Sequence, residues 1–178
     1  PFYLTTIIDD NVIARRILES GRAGLPSYIP LNVLSTSVIK PRPKKGNLEH
    51  EIIRGDEVSM KEIVEFINCE GRSKQFFPHY DLSDFSSPRI RDLNQRDFYI
   101  AVENGEIIGT LAKWDQESFK QTRVAGYDKK MMVARPFINL ASRFSNIPNL
   151  PPEGSLLHYF YAAFPTTKNN DPGILESL

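Results

Sequence analysis

Residues 97–115 read DFYIAVENGEIIGTLAKWD, and the turn at their centre decides the fold. Asn104-Gly105 is the dipeptide best suited to a two-residue hairpin, because a type I′ turn needs positive φ at both positions. With Glu103 facing Glu106, the reading pairs Val102 with Ile107, Ile100 with Gly109 and Phe98 with Leu111 on one face. Tyr99, Ala101, Ile108, Thr110 and Ala112 fall on the other. Both faces are largely apolar, which predicts a hairpin buried on two sides. Gly109 has no side chain, which suits a helix packed closely over it.

Upstream of the hairpin, His50 to Arg54 reads as a short strand. Asp56 is the cap expected for the helix that follows, whose Met60, Ile63, Val64 and Ile67 stand at i, i+3, i+4 and i+7. Gly71 ends it, and the aromatic, proline-interrupted stretch from Lys74 to Asp84 predicts a short helix or an ordered loop. Further back, Phe2 to Ile8 is strand-like. Asp9, Asp10 and Asn11 offer caps for a helix striped by Ile13, Ala14, Ile17 and Leu18, with Gly21 as its C′ residue. Asn32 to Ile39 predicts another strand, and residues 41–47 a solvated linker.

Downstream, Ser118 to Gly154 is a long connection with at least one helix, for which Pro136 suits a first-turn position. Leu156 to Phe164 (LLHYFYAAF) is a near-continuous apolar run, which predicts a central strand buried on both faces. Thr166 to Asn170 reads as a polar loop. Asp171 and Pro172 form an N-cap and N1 pair for a final helix.

The chain has 178 residues, 40% apolar and 25% charged, an ordinary globular composition. Its 22 lysines and arginines equal its 22 aspartates and glutamates. That balance argues against a nucleic-acid or anionic-membrane surface, which would show a basic excess, so neither partner is expected. One cysteine, Cys69, excludes an internal disulfide and points to a reducing, cytoplasmic setting; it closes a helix, where a buried thiol is inert. No apolar run approaches the ~20 residues that span a bilayer. The histidines His50, His79 and His158 lack metal-ligand spacing, so no metal is expected. The chain opens inside a strand-like segment and ends as a helix starts, which reads as a piece of a longer protein.

From His50 onward the expected order is strand, helix, short helical region, hairpin, apolar strand and helix. With FYIAVENGEIIGTLAKWD in the hairpin position, this resembles the first half of a GNAT-superfamily N-acetyltransferase domain. The first forty residues resemble the second half of such a domain, where a strand enters a helix through Asn-x-x-Ala, here Asn11-Val12-Ile13-Ala14. The resemblance implies an acyl-CoA N-acyltransferase fold of the α/β (α+β) class, with a mixed, mostly antiparallel sheet flanked by helices. It also implies a tandem arrangement, with residues 1–40 ending one unit and 48–178 beginning the next. Phe2–Ile8 parallel to Leu156–Phe164 would make a permuted single domain; the rival is that each half awaits further chain or exchanges strands with another copy in a homodimer.

The implied activity is transfer of an acyl group, acetyl in the first place, from acetyl-CoA or another acyl-CoA to a small-molecule or peptide amine. Such chemistry needs a base for the amine proton, a donor for the developing oxyanion and an acid for the thiolate. By resemblance, Asn11, Ala162, Ala163, Phe164 and Gly173 fall on the cofactor. The pyrophosphate would sit at the N-terminus of the final helix. His158 is the candidate base in the apolar strand. Tyr159 and Tyr161 face away from it and one of them lines the cleft, with Tyr161 the catalytic candidate. Tyr80, Trp114 and Asp115 fall on the acceptor side; Asp115 is equally suited to capping the turn after it.

Three departures from the family pattern motivate an alternative. Lys168-Asn169-Asn170-Asp171-Pro172-Gly173 replaces the phosphate loop Gln/Arg-x-x-Gly-x-Gly/Ala. Leu18 stands where the family's acid tyrosine falls, and the Ser118–Gly154 insertion replaces a short link. The alternative is a non-catalytic acyltransferase-like module, structural or ligand-binding.

Overall fold

The computed structural model describes residues 5–21, 24, 26, 28–39, 49–145 and 147–178. These belong to two compact units, residues 1–39 and 40–178. In the first, α1 spans Val12–Glu19; the Asn11 side chain accepts from the Ala14 N–H at 3.1 Å, and Gly21 leaves it at φ 61°. Residues 5–8 form no strand, while 1–4 lie outside the described residues, as do 41–47, where the linker is expected. The strand expected at Asn32–Ile39 is likewise not formed. The segment has β-rich composition, but no strand pairs with it among the described residues, and an isolated strand is not stable in water.

The second unit is organised on one sheet, with strands β1 Glu51–Arg54, β2 Phe98–Glu103, β3 Glu106–Trp114 and β4 Tyr161–Thr167 in the order β1-β2-β3-β4. Every pairing is antiparallel, where a mixed sheet was expected. The turn takes the expected conformation, with Asn104 at φ 51° and Gly105 at φ 81°. Glu103 faces Glu106 and Val102 faces Ile107, but a bulge at Ile108 then shifts the register by one. Gly109 therefore faces Ala101, Thr110 faces Ile100, and Ala112 faces Phe98. The bulge moves Ile100 and Phe98 off Gly109 and Leu111, and it strengthens the local twist.

The sheet is covered on both faces. On one lies α2, Met60–Gly71, whose Ile63 and Ile67 are fully buried with Phe98, Ile100 and Ala112. Its cap is Ser59, not Asp56. The Ser59 hydroxyl accepts from the Glu62 N–H at 3.2 Å, and the Glu62 carboxylate accepts from the Ser59 N–H at 2.9 Å. This reciprocal box satisfies two helix-end donors at once, which a lone aspartate three residues earlier cannot do. The Ser59 hydroxyl also donates to the Glu62 carboxylate at 2.6 Å, and this bond, then the one from the Ser59 N–H, holds the Glu62 carboxyl below its ordinary pKa. On the other face lies α4, Pro172–Ser177, where Ile174 packs with Ala101 and Ile108. A Cβ on Gly109 would stand 2.6 Å from Ile174 Cγ2, which accounts for glycine there.

The long connection carries α3, Lys129–Ala141, capped by Asp128 through the Met131 N–H at 2.6 Å. Pro136 is inside the helix, not in its first turn. The carbonyl it leaves without a helical donor, that of Met132, lies on an exposed side where water can serve it. The two ends of the connection close on each other: the Val124 N–H donates to Ser155 O at 3.0 Å, and the Leu157 N–H donates to Thr122 O at 2.8 Å. Leu156 is thus paired with Arg123 and not with the sheet. The strand expected at Leu156–Phe164 begins only at Tyr161 and runs on through Thr166 and Thr167, where a loop was expected.

Candidate functional site

The side chains with chemistry gather where β3 ends and β4 begins. Because residues 122–124 pair with 154–157, Glu117 and Lys120 are brought beside His158, Tyr159 and Tyr161. His158 is not buried in a strand, as expected, but 72% exposed, with Nδ1 3.0 Å from Glu117 Oε1. Lys120 Nζ donates to the Tyr161 hydroxyl at 2.8 Å and lies 5.0 Å from that ring's centroid. The Tyr159 hydroxyl is 3.5 Å from that of Tyr161 and 2.8 Å from Thr122 Oγ1. The two tyrosine rings meet edge to face at 5.4 Å. The ammonium of Lys120 and the Tyr159 hydroxyl favour the phenolate, so the Tyr161 pKa is lowered from its ordinary value; that of Lys120 is raised by the same bond.

Beyond Tyr161, β4 is bulged. Ala112 faces Ala163 and Thr110 faces Thr166, so Leu111 alone spans Phe164 and Pro165. Phe164 takes φ 54°, a left-handed conformation that a side chain disfavours. Packing compensates: its ring lies 5.2 Å from Tyr80, 5.4 Å from Phe85 and 5.6 Å from Phe98, while Thr110 Oγ1 donates to its carbonyl at 3.0 Å. Pro165 lacks an N–H to pair, which suits it to this irregular position. Among the described residues no strand covers the far edge of β4.

The remaining predicted residues are dispersed. Gly173 is the second residue of α4, but its N–H donates to Asp171 Oδ1 at 2.8 Å, so a carboxylate already holds the place expected for pyrophosphate. Asn11 caps α1 in the first unit. Tyr80 is held by Asn68, which accepts from its N–H at 2.9 Å and donates to its carbonyl at 2.8 Å; burial, then the nearby Asp84, raises its phenol pKa. Tyr80 lines a cleft of about 440 Å³ with His79, Asn68, Cys69 and Arg72. Cys69 is exposed there, not buried. Trp114 Nε1 donates to Arg91 O at 2.8 Å, and Asp115 Oδ1 accepts from the Glu117 N–H at 2.9 Å, the turn-capping role weighed for it. Among the described residues no group of three or more potential ligands could hold a metal ion, and no helix is long and apolar enough to cross a membrane.

Comparison with protein-family models, curated proteins and solved structures finds no match to this chain. The partners Glu117, Lys120 and Thr122 escaped the sequence reading. Their signal is Lys-Gln-Thr (Lys120 to Thr122) opposite an alternating His158-Tyr159-Phe160-Tyr161, and it is visible only once the connection is known to close on itself.

Proposed function

We propose that the protein transfers an acyl group, with acetyl the first candidate, from coenzyme A to an amine, as an acyl-CoA N-acyltransferase. The observation that carries this reading is the convergence of two proton-handling pairs, Glu117–His158 and Lys120–Tyr161, at the start of a bulged, open-edged strand. His158, oriented through Nδ1 by the Glu117 carboxylate, presents Nε2 as the base for the amine proton. Tyr161, made more acidic by Lys120, supplies the proton to the departing thiolate, the role for which Leu18 has no group. The edge of β4 at Ala162, Ala163 and Phe164 offers backbone N–H groups to the thioester oxygen and the pantetheine arm. Tyr80 and Trp114 shape the acceptor side. In the tandem reading, residues 1–40 end one such unit and residues 48–178 begin the next.

A specific observation favours the second reading, a structural or ligand-binding module of the same ancestry. Asp171 caps α4 with its own carboxylate, and negative charge at that position repels a phosphate. Thiol release from acetyl-CoA by the full-length protein, over a panel of amines, separates the two. The acyltransferase reading expects release that falls by roughly 10²-fold or more in His158→Gln and in Tyr161→Phe. Release that is absent for every acyl-CoA leaves the binding module, and release indifferent to both substitutions removes His158 and Tyr161 from the chemistry.

A further inference from the structure

Helix α3 is built inside out. Its polar residues face the protein: Arg135 Nε and Asn139 Nδ2 each donate to Leu150 O at 3.0 Å, the Leu150 N–H donates to Asn139 Oδ1 at 2.7 Å, and Ser142 bonds Asn149. The opposite side carries Val133, Phe137, Leu140 and Phe144, exposed by 70%, 70%, 56% and 89%. Their spacing, i, i+4, i+7 and i+11, aligns them in a single stripe continued through the turn after the helix. A helix with only water outside puts its polar face there; this one presents its apolar face.

Charge says what covers the stripe. From Lys129 to Pro152 the chain contains Lys129, Lys130, Arg135 and Arg143 and no aspartate or glutamate, although its total charge is zero. On a helical projection Lys129, Lys130 and Arg143 flank the stripe, and among the described residues none of the three makes an ion pair. We propose that this face docks on an anionic lipid surface, with α3 lying in the interfacial plane. A bilayer surface offers an apolar medium beneath a layer of negative headgroups, which matches an apolar stripe rimmed by cations. A second copy seated face to face would bring the cations together instead. The charge balance of the whole chain argues against such a surface, but surface attraction decays within a Debye length and is decided locally.

The test is co-sedimentation of the full chain with vesicles of phosphatidylcholine alone and with phosphatidylserine added, at low and high salt. The expected result is about tenfold or stronger partitioning onto the phosphatidylserine vesicles, weakened by salt, since each surface cation adds to the attraction. Phe137→Ser with Phe144→Ser should abolish it, as should Lys129→Glu, Lys130→Glu and Arg143→Glu together. The thermal melt should stay unchanged in both variants, because these side chains face outward. Equal partitioning onto both vesicles, none at all, or binding that survives either variant overturns the proposal. So does a concentration-dependent dimer that the phenylalanine variant dissolves while the protein ignores vesicles, which would make the stripe a contact between copies; capture by an acidic amphipathic peptide without vesicle binding would assign it to a protein partner.

Discussion

Replacing Gly109 by alanine tests how the hairpin is covered. The added methyl would stand 2.6 Å from Ile174 Cγ2, 3.0 Å from Leu178 Cδ1 and 3.4 Å from Ala101 Cβ. Carbon atoms rest at about 3.5–4.0 Å, so the Ile174 contact falls short by about 1 Å. Ile174 cannot easily swing clear, because Cγ2 hangs directly from a β-branched carbon and the side chain is held against Ala101 and Ile108. The helix must therefore move off the sheet or Ile174 must leave its rotamer. Overpacking of this kind costs about 1–3 kcal/mol, against a gain of about 0.5–1 kcal/mol from replacing a strand glycine. The net expectation is destabilisation of about 1–2 kcal/mol, read in urea as a lower midpoint with the slope unchanged. Combining Gly109→Ala with Ile174→Ala should recover part of the loss, a coupling of about 0.5–3 kcal/mol between residues in contact. A Gly109→Ala protein as stable as the parent, or strictly additive substitutions, would refute the packing of α4 on this strand.

Three further outcomes follow from the same structure. Thr166 is 1% exposed and its hydroxyl has no hydrogen-bond partner among the described residues, so Thr166→Val should stabilise by about 1 kcal/mol in the same urea assay; a loss would mean the hydroxyl is satisfied by buried water. Ser59→Ala removes half of the capping box of α2 and should cost about 0.5–2 kcal/mol, measured by thermal melting. Because Lys120 holds the Tyr161 pKa down, Lys120→Met should move phenolate formation to higher pH; the absorbance titration, taken as a difference from Tyr161→Phe, isolates that group, and an unmoved curve contradicts the contact.

Where local chemistry determines structure, the sequence was readable. Asn104-Gly105 set the turn, Asp171-Pro172 set one helix start and the run Asp9-Asp10-Asn11 bounded another, because each needs only its own neighbours; Gly109 marked the approach of a helix by its missing side chain. The register beyond Val102 was not readable: one bulged residue, Ile108, shifts every later pair, and an isoleucine carries no mark of a bulge. The run Leu156–Phe160 reads as strand by composition, yet its first residues pair with Arg123 and its neighbours in the connection, a long-range choice that periodicity cannot see. For the candidate site the consequence is direct. His158 and Tyr161 stand out as ionisable groups in an apolar run, but their partners Glu117 and Lys120 acquire meaning only when the connection folds back. His158 accordingly lies in solvent, where a buried base was expected. Asp128 was overlooked as the cap of α3 because Pro136 drew the helix start to itself, although a proline on an exposed helix face is tolerated.

Calorimetric titration of the full-length protein with acetyl-CoA, with desulfo-CoA as control, tests the central proposal most directly. The acyltransferase reading predicts a dissociation constant at or below about the micromolar range, ~8 kcal/mol of binding. No detectable heat with acetyl-CoA or any other acyl-CoA, from a folded and complete protein, would contradict it.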